Sequence, residues 1–194
     1  MLQDVAQQVG DQADEALMAR VGHGDKAAYR ELVDRHLARA NRLAYRITNN
    51  RSDAEELVQE AFLRVWTTAP RWKVEGALFR TWFSRVLVNL CIDRKRRPGF
   101  APLEAAGDPP DETIGAEARM MQDEEAKAVG AAVAELPERQ RAALALCYWD
   151  EMSNLEAAEV MSLSVGAVES LLVRARRNLK ASLGTALGRQ LEDG

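Results

Sequence analysis

Few residues in this 194-residue chain have the types and spacing that covalent chemistry needs. The histidines are His23 and His36, and the cysteines are Cys91 and Cys147. Both cysteines fall inside apolar helical patterns without CxxC or Cys/His spacing, so they read as small buried hydrophobes rather than zinc ligands or disulfide partners. No HExxH, GxSxG or GxxxxGK[ST] motif occurs, and the acids concentrate in a linker and on one helix face rather than in a metal-binding cluster. No cofactor, metal or small-molecule substrate is expected, and a binding protein is favoured over an enzyme.

What remains is chemistry suited to a polyanion. The net charge of −4 hides a segregation along the chain. Residues 71–97 hold eight basic residues against Glu75 and Asp93, residues 101–125 hold eight acids against Arg119, and residues 163–189 hold five basic residues against Glu169. Two basic segments joined by an acidic tether suit a polyanion gripped at two places. In the first basic segment Trp72, Phe79, Trp82 and Phe83 lie among Lys73, Arg80 and Arg85, and unstacked bases bind aromatic faces beside a basic groove. The helical spacing equally reads Phe79 and Phe83 as core, which leaves Trp72, in a turn, as the ligand candidate. Asn89 shares a face with Arg85 and Ile92, where its amide either reads a base edge or is simply solvated.

The second basic segment follows Ser162-Leu163-Ser164, a turn of the length that joins helix-turn-helix pairs. Its helix presents Gly166, Ala167, Glu169, Ser170, Val173, Arg174, Arg176 and Arg177 away from the core. Small residues there permit entry into a major groove and arginines neutralise phosphates; an ordinary helical hairpin with a solvated basic face is the plain alternative. A third feature is the stripe Glu56, Gln59, Glu60 and Leu63, opposite a buried helix face, which either docks on a basic partner or is a solvated surface.

The elements that must position these residues are helices. Hydrophobic residues at 47%, charged residues at 29% and aromatics at 6% predict an ordered, all-α chain. No apolar run approaches the ~18–20 residues of a membrane span, and the N-terminus lacks the basic-then-apolar order of a secretory signal, so direct membrane insertion is not expected and a cytoplasmic location is. Tyr29, Leu32, Val33, Leu37, Ala40, Leu43, Ala44 and Ile47 predict a helix over 25–47 that stops at Asn49-Asn50. Ser52 and Glu55 read as a capping box for a helix to about Thr67 that buries Leu57, Val58, Ala61, Phe62 and Val65. After Gly76 comes a helix with the stripe Phe79, Trp82, Phe83, Val86, Leu87, Leu90 and Cys91. Residues 98–113 then hold four of the six prolines, a linker composition. Beyond it, helices are expected over 123–135, over 138–149 with Pro137 at the first helical position, from a Ser153/Glu156 capping box to Met161, and from 165 to about Leu183 capped by Ser164. The last buries Val168, Leu172, Ala175 and Leu179. The expected organisation is a flexible tail over 1–14, a helical domain over 15–97, a flexible acidic linker over 98–122, a second helical domain over 123–188 and a tail over 189–194.

Several motifs occur together and in order: Asp53-Ala-Glu-Glu-Leu-Val-Gln-Glu-Ala-Phe-Leu-Arg-Val-Trp66, Phe79-Arg-Thr-Trp-Phe83, Val88-Asn-Leu-Cys-Ile-Asp-Arg94, Leu136-Pro-Glu-Arg-Gln-Arg141, Ser164-Val-Gly-Ala-Val-Glu-Ser170 and Arg174-Ala-Arg-Arg-Asn-Leu179. On these motifs the chain resembles a bacterial RNA polymerase sigma factor of the extracytoplasmic function group, the compact kind with sigma domains 2 and 4 alone. The resemblance spans about residues 14–187. It implies that Glu56, Gln59, Glu60 and Leu63 grip core RNA polymerase at the clamp coiled coil of its largest subunit. It also implies that Trp72, Lys73, Arg80, Thr81, Arg85, Asn89, Arg94, Lys95 and Arg96 serve the promoter −10 element, partly by capturing a flipped base. Ser164, Val165, Gly166, Ala167, Glu169, Ser170, Val173, Arg174, Arg176 and Arg177 would then serve the −35 element. It further implies a controlling anti-sigma factor, which in this family often sits at the inner membrane. The rival from another class is a stand-alone helix-turn-helix regulator, dimeric on a symmetric operator with half-sites about one DNA turn apart.

Two departures from the family pattern carry weight. Glu169 and Leu171 stand where many members are basic, and Ser162 stands where glycine is frequent. The −35 sequence read here is therefore not inherited from better-known relatives. Glu169→Arg is expected to change promoter choice in a run-off transcription panel; an unchanged preference would refute that role for Glu169.

Overall fold

A computed structural model describes residues 14–72, 78–94 and 127–192, with side chains as far as residue 184. Of the expectations above, the tail over 1–14 except for Asp14, which is helical and buried, the linker over 98–122, and Lys73, Lys95 and Arg96 lie outside the described residues. The described residues form helices and turns with no strand. In chain order the elements are α1 (14–22), α2 (Lys26–Thr48), α3 (Arg51–Thr68), a 3-10 turn (Ala69–Arg71), α4 (Phe79–Arg94), α5 (127–134), α6 (Glu138–Leu144), a π turn (Ala145–Trp149), α7 (Asn154–Met161) and α8 (Val165–Glu192).

Local chemistry explains most of the boundaries. The Asp25 carboxylate accepts from the N–H groups of Ala27 and Ala28 and starts α2, and Asn49 ends it in the left-handed region at φ 53°. The expected Ser52/Glu55 box is not formed. An N-cap must be the last non-helical residue, and the reversal at Asn49 makes that residue Asn50, whose side chain accepts from Asp53 N–H at 3.0 Å. Ser52 lies inside α3, and Glu55 pairs with Arg51 instead. The Ser153/Glu156 box forms as expected, and Ser164 Oγ accepts from Ala167 N–H at 3.2 Å.

The α2, α3 and α4 helices enclose Leu32, Leu43, Ile47, Val58, Val65 and Leu87. Phe79 and Phe83, one turn apart, stack with ring centroids 5.6 Å apart. Two details differ from the expected stripes. Leu37 is 41% exposed, because His36, four residues from both Leu32 and Ala40, takes the inward position. On α4, Trp82 and Val86 are half-buried while Ser84 and Val88 are buried, since α4 packs against α7 as well as α2 and α3 and so buries a broader face.

In the second half, α6 begins at Glu138 as expected, but Pro137 occupies the N-cap position, with an extended backbone at φ −55° and ψ 142°, rather than the first helical one. The segment expected as one helix over 138–149 widens into a π turn over its last five residues. The nearly fully buried Arg141 donates from Nη1 to the Ala134 carbonyl at 2.5 Å and so closes the end of α5; burial lowers its pKa. The final helix runs past the expected Leu183 to Glu192.

The two halves share a continuous apolar cluster that runs from Leu17 to Ala175. Around it, arginines of the first half reach the second. Arg39 Nη2 meets Asp150 Oδ2 at 2.6 Å and Ser84 Oγ at 3.2 Å, with the Arg39 and Asp150 side chains only 21% and 8% exposed. Arg80 donates to the Asp150 carbonyl at 3.2 Å, Arg85 donates to the Glu159 carbonyl at 3.0 Å, and the Arg46 guanidinium lies 4.9 Å from the Trp149 ring centroid. At the other end of the first half, Asp14 accepts from His36 Nε2 at 2.7 Å and Arg35 Nη1 at 2.9 Å.

Removing one member of a largely buried ion pair leaves the other unmatched. Asp150→Ala is therefore expected to loosen the docking of the two halves, raising the radius of gyration in small-angle scattering while helical circular dichroism is retained. The buried Asp14 carboxyl, despite desolvation that raises its pKa, is held below its ordinary value by His36 and Arg35. Its stabilisation is complete above the unfolded carboxyl range near pH 4 and is lost as pH falls through the lower folded value. Asp14→Asn is expected to cost about 1.5–3 kcal/mol at neutral pH, with the gap to the wild type closing as denaturation is followed from pH 5 toward pH 2.5.

Candidate nucleic-acid interface

The helix-turn-helix pair is built by packing from one side. Val168, Leu172 and Ala175 are buried and Leu179 is half-buried, so α8 turns Glu169, Ser170, Val173, Arg174, Arg176 and Arg177 outward. Between α7 and α8, Ser162 adopts φ 53° while its N–H bonds back to the end of α7. That backbone is one glycine enters at little cost, which explains the residue frequent at this position in the resembling family. The first turn of α8 is open: a side chain added at Gly166 would meet nothing within 4 Å. Packing within the chain thus does not demand a small residue there. Ser170 spends its hydroxyl on the Gly166 carbonyl at 2.8 Å, and Ala167 is half-buried. Val173, at 61% exposed, leaves an apolar side chain among the cations.

The second surface surrounds the start of α4. Trp72 is half-buried, its ring edge-on to Trp82 at 4.9 Å and to Phe79 at 6.4 Å. Its indole N–H meets no acceptor among the described residues. Arg80 and Thr81 follow in the first turn, half-buried, and Asn89 is exposed further along. Arg80 also sits within electrostatic reach of Glu156; burial raises the Glu156 carboxyl, but Ser153 and Arg80 bring it below its ordinary value. Arg94 has a different setting. It bridges Asp53 at 3.0 Å and Glu56 at 2.7 Å, and the Glu56 hydrogen bond foremost holds its guanidinium above its usual value. In this geometry Arg94 ties α3 to α4.

The third surface is the outer face of α3. Glu56, Gln59 and Leu63 are exposed, Leu63 at 62%, and Glu60 pairs with Arg64 at 2.7 Å. An exposed leucine among carboxylates, with no packing role beneath it, has the make-up of a protein-docking stripe. The cysteines behave as expected of buried thiols: burial pushes Cys91 up to about 12, and Cys147, half-buried, is also raised by desolvation. Among the described residues no group of three or more His, Cys, Asp or Glu residues has a metal-binding arrangement, and no helix is long and apolar enough to cross a membrane.

The residues that sequence reasoning missed are those joining the halves. Arg39 and Asp150 are 111 residues apart, and neither stands in a local pattern that names the other. Asp14 and Glu15 were equally silent, since their partners lie 21 to 64 residues away.

Comparison with known proteins accounts for the coexistence of these surfaces. Residues 32–99 match the family model Sigma-70 region 2, and residues 126–179 match Sigma-70, region 4. The chain is 35% identical over 169 residues to the ECF RNA polymerase sigma factor SigE of Mycolicibacterium smegmatis, covering 81% of this chain and 63% of that protein. To the ECF RNA polymerase sigma factor SigW of Bacillus subtilis it is 30% identical over 175 residues, covering 84% of this chain and 93% of the relative. Among solved structures, CnrH in complex with the cytosolic domain of CnrY is similar with a TM-score of 0.63 at 28% identity, covering 89% of this chain and 98% of that one. The sigma factor RpoE of Bartonella quintana, solved with the anti-sigma factor NepR, shares the fold at a TM-score of 0.61 and 21% identity, covering 80% and 96%. With an outward-facing helix-turn-helix, aromatic and cationic side chains at the head of α4, an acidic stripe on α3 and relatives matched along most of its length, the chain belongs to the ECF RNA polymerase sigma factors.

Proposed function

We propose that this chain is a non-catalytic initiation subunit that divides its work among the three surfaces. Glu56, Gln59, Glu60 and Leu63 hold core polymerase. Trp72, Arg80, Thr81, Arg85 and Asn89, with Lys73, Lys95 and Arg96 beyond the described residues, hold the −10 element. The α8 face from Ser164 to Arg177 reads the −35 element. The observation that carries the reading is the open first turn of α8, where Gly166 faces empty space ahead of Arg174, Arg176 and Arg177. A groove-entering helix needs clearance at its N-terminal turn and cations further on to neutralise phosphates. Arg94 belongs with the α3–α4 tie, and its part in DNA binding is secondary in this reading.

Opening a duplex costs pairing and stacking, which an aromatic site for an extruded base and a basic track offset. Arg80 and Arg85 donate to backbone carbonyls of the second half, so gripping DNA with them requires the halves to part. That requirement supports regulation by a partner that stabilises the docked arrangement, the role we assign to an anti-sigma factor in the cytoplasm. The relatives solved as complexes, CnrH with the cytosolic domain of CnrY and RpoE with NepR, are consistent with it.

Multi-round transcription with purified core polymerase on a pool of promoter fragments tests the reading. The chain is expected to direct initiation from a subset sharing −35 and −10 sequences. Leu63→Asp is expected to weaken core binding tenfold or more, about 1.4 kcal/mol, without altering duplex −35 recognition. Failure of the wild type to bind core would reinstate the stand-alone regulator.

A further inference from the structure

Glu15, only 8% exposed, aims its carboxylate at the head of α4: Phe79 N–H donates to Glu15 Oε1 at 2.5 Å. The first N–H groups of a helix have no partner within the helix and are ordinarily met by a polar side chain at the N-cap. Here the preceding residues are Gly76, Ala77 and Leu78, none with an acceptor side chain. The cap comes instead from another helix, and its negative charge lies at the positive end of the α4 dipole.

The far end of α1 makes a second, independent contact. A Cβ at Gly22 would fall 2.7 Å from the Ala69 carbonyl oxygen and 3.5 Å from Pro70 Cα. Only a glycine lets α1 lie this close to the backbone of the 3-10 turn that leads into Trp72. Seven residues of helix separate Glu15 from Gly22, about 10 Å at the usual rise. The same α1 therefore touches the backbone just before Trp72 and the backbone just before Arg80. A third tie aligns them: Asp14 holds His36, whose ring lies 5.1 Å from that of Phe79.

We propose that α1 is a splint that fixes the spacing between Trp72 and the Arg80–Thr81 turn, and that Glu15 is a positioning residue for the capture of single-stranded promoter DNA between them. The proposal rests on the assignment of Trp72, Arg80 and Thr81 to the −10 element. Glu15 does not touch DNA; it acts by holding the first turn of α4 in register with Trp72, so that the indole ring and the Arg80 guanidinium meet one nucleotide together. Preorganisation of this kind shows in affinity for the single strand and leaves the α3 docking stripe and the α8 face unaffected.

The test uses holoenzyme assembled from core polymerase and the full chain, titrated with labelled single-stranded oligonucleotides selected by the wild-type holoenzyme from a pool randomised at six positions. Glu15→Ala is expected to weaken single-strand binding by about tenfold, the order of one charge-assisted hydrogen bond. Glu15→Gln, which keeps a carbonyl acceptor, is expected to stay within about twofold of wild type on the same scale. Gly22→Ala, acting at the opposite end of α1, is expected to reproduce the loss, with core affinity and duplex −35 binding unchanged in all three. Unchanged single-strand affinity in Glu15→Ala and Gly22→Ala would overturn the splint alone. So would a parallel loss of core binding, which would mark α1 as general scaffolding. A wild-type holoenzyme that enriches no single-stranded sequence would instead overturn the −10 assignment beneath it.

Discussion

Every helix end leaves backbone groups that the helix itself cannot pair. In this chain side chains from other elements meet several of those ends. Glu15 meets the first N–H of α4, Arg141 meets a carbonyl at the close of α5, Arg80 meets the carbonyl of Asp150 after the π turn, and Arg85 meets a carbonyl in the last turn of α7. The apolar cluster supplies cohesion without direction. The terminal contacts supply direction, because a carbonyl or N–H at a helix end is a fixed target that a side chain meets from a narrow range of angles. The relative placement of α1, α4 and α7 follows from which charged side chain finds which helix end.

The same constraint separates what was legible in the sequence from what was not. Helices, their order and most buried positions follow from spacing, as the stripe from Leu57 to Val65 and the Ser153 box show. The Ser52 box misled because two signals compete within six residues, and the left-handed turn at Asn49 gives the cap to Asn50. His36 was unreadable as a core residue because its burial depends on Asp14, on a different helix. The three candidate surfaces were visible as composition: small residues and arginines on α8, aromatics and cations at α4, a leucine among acids on α3. Their mutual arrangement was not visible, since Arg39 and Asp150 are joined by folding across most of the chain.

Arginine is used in two ways on the first half. Arg94 is committed to α3 through Asp53 and Glu56, and Arg39 to Asp150. Arg80 and Arg85, by contrast, rest on neutral carbonyls. A carbonyl satisfies a guanidinium hydrogen bond without cancelling its charge, so Arg85 keeps its positive potential while docked, whereas the Glu156 carboxylate offsets part of that of Arg80. A phosphate competes for Arg85 on better terms than it does for an arginine already matched by a carboxylate.

The open space above Gly166 has a bearing on how such a chain changes over generations. Most positions on a packed helix are constrained twice, once by the interior and once by whatever the surface binds. At Gly166 the interior imposes nothing, and Glu169, Ser170 and Val173 beside it are exposed. Substitutions along this strip are nearly neutral for folding, since surface changes away from caps and cores move stability little. If this strip reads the −35 element as proposed, selection there acts on sequence preference almost alone, and duplicated copies can drift to different promoters while the scaffold beneath them stays the same.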